Sequence, residues 1–140
     1  MYRVTIAVLF VSSLIATLAA PQPDNSTIVG VWTGKMDSLP FIRLTMMEEE
    51  DGKLIGAVLF YEIHRNPNGP STSTPGVPEP LIGRTFDGKT LNFKVSHRHA
   101  HPGTEHDPPV TFRFELTGPN KLKAINAEGP PVEMVRDKPY

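Results

Sequence analysis

The chain predicts an all-β protein: a single antiparallel, eight-stranded up-and-down barrel behind an N-terminal signal peptide. From Ile28 onward, apolar segments of strand length alternate with Gly, Pro, Asn and Asp. No segment keeps a helical period over the ten or so residues that a helix needs. The chain also has no cysteine among its 140 residues, so an exported domain of this length must be held by its apolar core without disulfides. A sheet with one wet face achieves that by curling on itself or by finding a partner sheet.

Residues 1–19 read as an address. Met1-Tyr2-Arg3 is a short basic lead, and Val4 to Leu18 is an uncharged apolar run near the lower limit of a membrane span. Cleavage after Ala19 puts Thr17 and Ala19 at the small-residue positions. Retention of the run as an anchor is the alternative, and without it no stable membrane insertion is expected. A secreted or periplasmic location follows. Residues 20–27 read as a flexible lead containing Asn25-Ser26-Thr27, formally a glycosylation acceptor. The remainder, 28–137, is enough chain for one core and one domain.

The eight strands fall at roughly 28–35, 40–49, 53–64, 80–87, 90–100, 110–118, 121–127 and 131–137. Asp51-Gly52, Asp87-Gly88 and Gly118-Pro119-Asn120 supply the positive or preset φ that tight hairpins require. Arg65 to Glu79 is dominated by Pro, Ser, Thr, Gly and Asn and reads as a mobile loop over 65–79. In such a meander every odd strand runs toward the same end. The tight turns therefore share one end, and the long loops after the third and fifth strands share the other, open end.

Strand faces support a buried interior. The sixth strand sets Val110, Phe112, Phe114 and Leu116 against Thr111, Arg113, Glu115 and Thr117, and the second sets Ile42, Leu44 and Met46 against Arg43 and Thr45. The third strand is apolar on both faces, so its parity, and with it the orientation of His64, stays open. Its outward apolar row suits extra cover: a partner surface in an envelope interaction module, or a second copy in a homodimer.

Gly30-Val31-Trp32 opens the first strand with the single Trp of the protein, and Arg136 closes the last. In this order, around an eight-strand meander, the pattern resembles the lipocalin-like, or calycin, barrels. The resemblance implies that Trp32 packs at the closed end against Arg136, that apolar ligands enter from the opposite mouth, and that the domain spans roughly 28–137. Lacking cysteines and a C-terminal helix, the chain looks closest to compact lipocalin-like domains of exported bacterial proteins of uncharacterised function.

The chemistry gathers at one strand end. Leu91, Phe93, Val95, His97, His99 and His101 share a face, because side chains two apart on a strand do. A small, largely apolar ligand is accordingly expected against Phe93, Val95, His97, Phe112, Phe114 and Met46. A Zn²⁺ reading competes: imidazoles at i and i+2 can meet one ion at about 2.0–2.1 Å. Because i to i+4 spans roughly 13 Å, the fitting set is His97 and His99 with His64 and His106, assisted by Glu105 or Asp107, and His101 is left out. The bland alternative is a solvated strand end that needs no ligand. A metal-assisted hydrolase or isomerase would need an open metal position beside a carboxylate. No nucleophile elbow, Gly-rich phosphate loop, zincin helix or Cys-His pair is present, so binding is favoured over catalysis.

The charges narrow the partners. Lys and Arg number 14 against 15 Asp and Glu, a net charge of −1, which offers no electrostatic motive for nucleic acid or an anionic membrane surface. The run Glu48-Glu49-Glu50-Asp51 sits at a hairpin tip and reads as a solvated turn that discourages edge pairing.

Overall fold

The computed structural model describes residues 24–96, 108–125 and 130–138. It contains ten strands: β1 (Gly30–Met36), β2 (Leu39–Glu48), β3 (Leu54–His64), β4 (Thr72–Pro75), β5 (Glu79–Pro80), β6 (Ile82–Phe86), β7 (Thr90–Val95), β8 (Val110–Gly118), β9 (Lys121–Ile125) and β10 (Val132–Arg136), preceded by one 3₁₀ turn at Asn25–Thr27. All pairings are antiparallel, in the order β4-β3-β2-β1-β10-β9-β8-β7-β6, with β5 also on β3.

This is an up-and-down sheet curled into a half-barrel. The curl is visible where Phe60 of β3 meets Phe112 of β8, strands far apart in the sheet order whose ring centroids lie 5.3 Å apart. Its concave side holds one core that includes Ile28, Trp32, Leu44, Val58, Leu91, Phe114, Leu122 and Met134. Gly34 makes room for that packing, since a Cβ there would sit 2.7 Å from Ile42 Cγ2 and 2.9 Å from both Met134 Cγ and Val132 Cγ1.

Two expectations change in detail. The strand expected at 80–87 is two short strands, because the chain changes partner across Leu81; within the second, the register shifts between Ile82 and Thr85 around Gly83, whose φ is +57°. Residues 79–80 pair with Val58 and Ala57 of β3, whereas 82–86 pair with β7. Part of the Pro-rich stretch 65–79 is also ordered, as β4 lies along Tyr61–His64. The Ser73 hydroxyl donates to the Pro40 carbonyl at 2.7 Å, and Pro75 is tolerated because β4 is an edge strand.

Two of the lead residues expected to be flexible, Asn25 and Thr27, are tied down as well. Asp24 caps the 3₁₀ turn by accepting from the Ser26 N–H at 2.9 Å. The Asn25 amide donates to Glu48 Oε1 and to the Gly52 carbonyl, each at 2.9 Å, which fastens the turn to the β2–β3 connection. The signal segment 1–19 lies outside the described residues.

Between β1 and β2 the chain turns at Asp37 and Ser38 with φ of 52° and 67°. Both central residues are left-handed, as a two-residue type I′ hairpin demands, although neither is Gly or Asn. Sequence reading passes over this turn for that reason.

Candidate functional site

At one end of the sheet the short connections 49–53, 87–89 and 119–120 gather with the N-terminal 3₁₀ turn. The Leu116 N–H donates to the Lys89 carbonyl at 2.8 Å, and the Arg136 N–H to the Asn120 carbonyl at 3.2 Å. Trp32 is fully buried and its indole N–H donates to the Ile28 carbonyl at 2.9 Å. Arg136, its cross-strand partner, lays its guanidinium carbon 4.3 Å from the ring centroid. The guanidinium also donates to the Val29 carbonyl and, at 2.5 Å, to the Thr27 carbonyl. Gly30 has φ of +136°, and a Cβ there would lie 3.1 Å from Arg136 Nη1, so glycine suits both the backbone and the space. This cluster ties β1, β10 and the N-terminal turn together.

The opposite end, where β3 and β7 finish and β8 begins, is aromatic. Phe93 stands opposite Phe112 in the β7–β8 ladder, and their rings stack at 5.7 Å and 19°. Phe93 meets Phe114 edge-on at 5.1 Å and 75°, while Phe112 reaches Phe60. Phe93 and Phe114 are buried, whereas Phe60 and Phe112 are half-buried. Aromatic pairs in such offset and edge-on geometries contribute about 0.5–1.5 kcal/mol beyond their buried area.

The ladder settles the parity of β3. Ile42 faces Phe60, Leu44 faces Val58, and Met46 faces Gly56, so Leu54, Gly56, Val58 and Phe60 point inward. Glu62 and His64 continue that parity at the rim. The pair is exposed, with His64 Nε2 3.8 Å from Glu62 Oε2. On the outer face Ile55, Ala57, Leu59, Tyr61 and Ile63 are half-buried.

Of the residues expected to contact a ligand, Phe93, Phe112 and Phe114 form one array, and Val95 is buried beside them on β7. Met46 is also buried, but it lies opposite Gly56, toward the Trp32 end. None of these five lines the surface depressions of about 200, 490 and 380 Å³, which sit on the outer face of β1–β3, at the Lys89–Gly118 turns and beside Glu133. His97, His99, His101, Glu105, His106 and Asp107 lie outside the described residues. Among the described residues no group of three or more His, Asp or Glu side chains could hold a metal, and no helix is long and apolar enough to cross a membrane.

Phe60 is the participant that the sequence pattern left unassigned. The ladder pairs Met46 with Gly56 and Ile42 with Phe60 across a loop centred on Asp51, whereas a two-residue turn at Asp51-Gly52 would pair Ile42 with Tyr61 and turn Phe60 outward. Among the described residues two acids are perturbed, both exposed. Backbone N–H groups of Thr90 and Lys89 hold the Asp87 carboxyl below its usual range, and hydrogen bonding with Ser26 does the same for Asp24. Both stabilise turns rather than chemistry. No protein-family model, curated protein or solved structure matches the chain.

Proposed function

We propose that this is an exported, lipocalin-like barrel protein that binds a small, largely apolar molecule at its aromatic end. The observation that carries the reading is the ring array Phe60–Phe112–Phe93 across the concave side, with two of its rings half-buried. A flat apolar ligand can exchange water contact for ring faces there, while Glu62 and His64 at the rim suit a polar end group. Deeper positions belong to the packed core, so the ligand is small and sits shallowly. Barrel closure is supported by residues 79–86, which pair with β3 at one end and with β7 at the other. The stacking of Arg136 on Trp32 supports the lipocalin-like assignment.

The test is a titration of the chain lacking residues 1–19 with N-phenyl-1-naphthylamine, an apolar probe that brightens on burial. Saturable binding weakened about tenfold or more by Phe60→Ala and by Phe112→Ala, a loss of about 1.4 kcal/mol or more, supports the reading. Leu59→Ala, on the outer face of the same strand, should leave it unchanged. Absence of saturable binding, or equal weakening in all three folded variants, overturns it.

A second reading, a Zn²⁺ site at the same end, is favoured by the inward parity of Glu62 and His64. His97 and His99 would join them. Such a site needs neutral imidazoles, so calorimetric Zn²⁺ affinity should fall as pH drops through about 6.5 and should be lost in His64→Ala and His97→Ala. Weak binding that ignores both substitutions removes this reading.

A further inference from the structure

The outer edge of β3 is closed by a patchwork. Tyr61–His64 pair with β4, and Ala57 and Val58 pair with β5. The Gly56 carbonyl then accepts the Leu81 N–H at 3.1 Å. Beyond that point the chain joins β7, with Ile82 already opposite Lys94, so the main chain no longer follows β3. A side chain takes over: the Arg84 guanidinium donates through Nε to the Leu54 carbonyl and, through Nη1 at 3.2 Å, to the Leu81 carbonyl.

Packing reinforces this arrangement. Leu81 is 4% exposed and Leu54 8% exposed. Gly56 forms the seat for Leu81, because a Cβ there would lie 3.1 Å from Leu81 Cδ1 and 2.5 Å from the Thr45 carbonyl. The β2–β3 ladder, by contrast, is an unbroken register from Ile42–Phe60 to Glu48–Leu54. Over Leu54–Val58 this flank of β3 therefore hangs on few main-chain bonds, one leucine and one arginine.

We propose that residues 79–84 are a clasp that closes the barrel through Leu81 and Arg84, and that the barrel opens along this seam before it unfolds anywhere else. The physical reason is the bond count. Parting β5 and Arg84 from β3 breaks the Leu81 bond, the two-residue β5 pairing and the guanidinium contact, while every other strand keeps its full ladder. Opening bares Leu54, Val58 and Leu81 and gives a lateral way into the core. The inference rests on the closed-barrel part of the proposed function and is independent of the ligand.

Native-state hydrogen exchange tests it, with the Leu81 amide reporting the seam and amides of the β1–β2 ladder reporting global unfolding. In the unmodified chain Leu81 should be protected, and its exchange should depend less on urea than that of the β1–β2 amides, as a local opening requires. Arg84→Ala should speed Leu81 exchange about tenfold or more and leave the β1–β2 amides within about twofold. Arg113→Ala, which removes an exposed partner of Glu115, should leave both Leu81 and the β1–β2 amides unchanged. Leu81 unprotected in the unmodified chain would overturn the closed barrel itself. Protected Leu81 that is indifferent to Arg84→Ala, or accelerated in step with β1–β2, would overturn the clasp alone. If the variant does not fold, the urea dependence decides: equal steep slopes for Leu81 and the β1–β2 amides overturn the clasp.

Discussion

Replacing Arg136 by Ala removes three interactions at once, and their sum can be worked from the geometry. The contact with the Val29 carbonyl is part-buried and charge-assisted, contributing about 2 kcal/mol. The bond to the Thr27 carbonyl is exposed and adds about 0.5 kcal/mol after solvent screening. Stacking over Trp32 at 4.3 Å adds about 1 kcal/mol at a half-buried position. The total, about 3.5 kcal/mol, is a large share of the about 5–15 kcal/mol that holds a domain together. It corresponds to a fall of roughly 10–20 °C in Tm for a chain of this size. Urea unfolding followed by the fluorescence of Trp32 measures it without interference, because the protein has one Trp. Arg136→Lys keeps a cation near the ring but loses the planar fork that reaches both carbonyls, so its loss should be about half as large. A loss below about 0.5 kcal/mol for Arg136→Ala, the range of ordinary surface substitutions, would refute the reasoning, as would equality with Arg113→Ala.

Three other perturbations have defined outcomes. Gly34→Ala forces a methyl against Ile42, Met134 and Val132 and should cost about 1–3 kcal/mol in the same urea assay, as overpacking does. The double change Asp37→Asn and Ser38→Gly converts the left-handed pair at φ of 52° and 67° into the preferred type I′ dipeptide and should stabilise by about 1 kcal/mol. Calorimetric melting shows whether Tm rises. Asp87, with its pKa depressed by the Thr90 and Lys89 N–H groups, contributes stability above the pKa of the unfolded chain and loses it as pH falls through the lower folded value. Asp87→Asn should therefore flatten the acid limb of stability below the usual carboxylate range, and an unchanged acid limb would count against that role.

The all-β class, the antiparallel meander and most strand positions were legible from the sequence, because hairpin residues and period-two alternation are local signals. Strand faces followed wherever one face is polar: Ile42, Leu44 and Met46 of β2, and Phe112 and Phe114 of β8, are inward as their alternation implies. The parity of β3 did not follow, since both of its faces are apolar. It took the ladder to β2 to turn Phe60 inward toward Phe112 and to put Glu62 and His64 at the rim.

Composition by itself determined that this chain folds without disulfides, because it has no cysteine and that property depends on a residue count and not on arrangement. Tertiary structure alone decided how the sheet curls and where its edges meet. Pro75 and Pro78 lie in the stretch 65–79 that reads as a loop, yet edge strands tolerate residues that offer no N–H, so β4 and β5 could form where β3 presented an unpaired flank. The reach of Arg84 to Leu54 likewise joins residues 30 apart in sequence. Such a contact leaves no periodic trace, because it depends on which edges the curled sheet brings side by side.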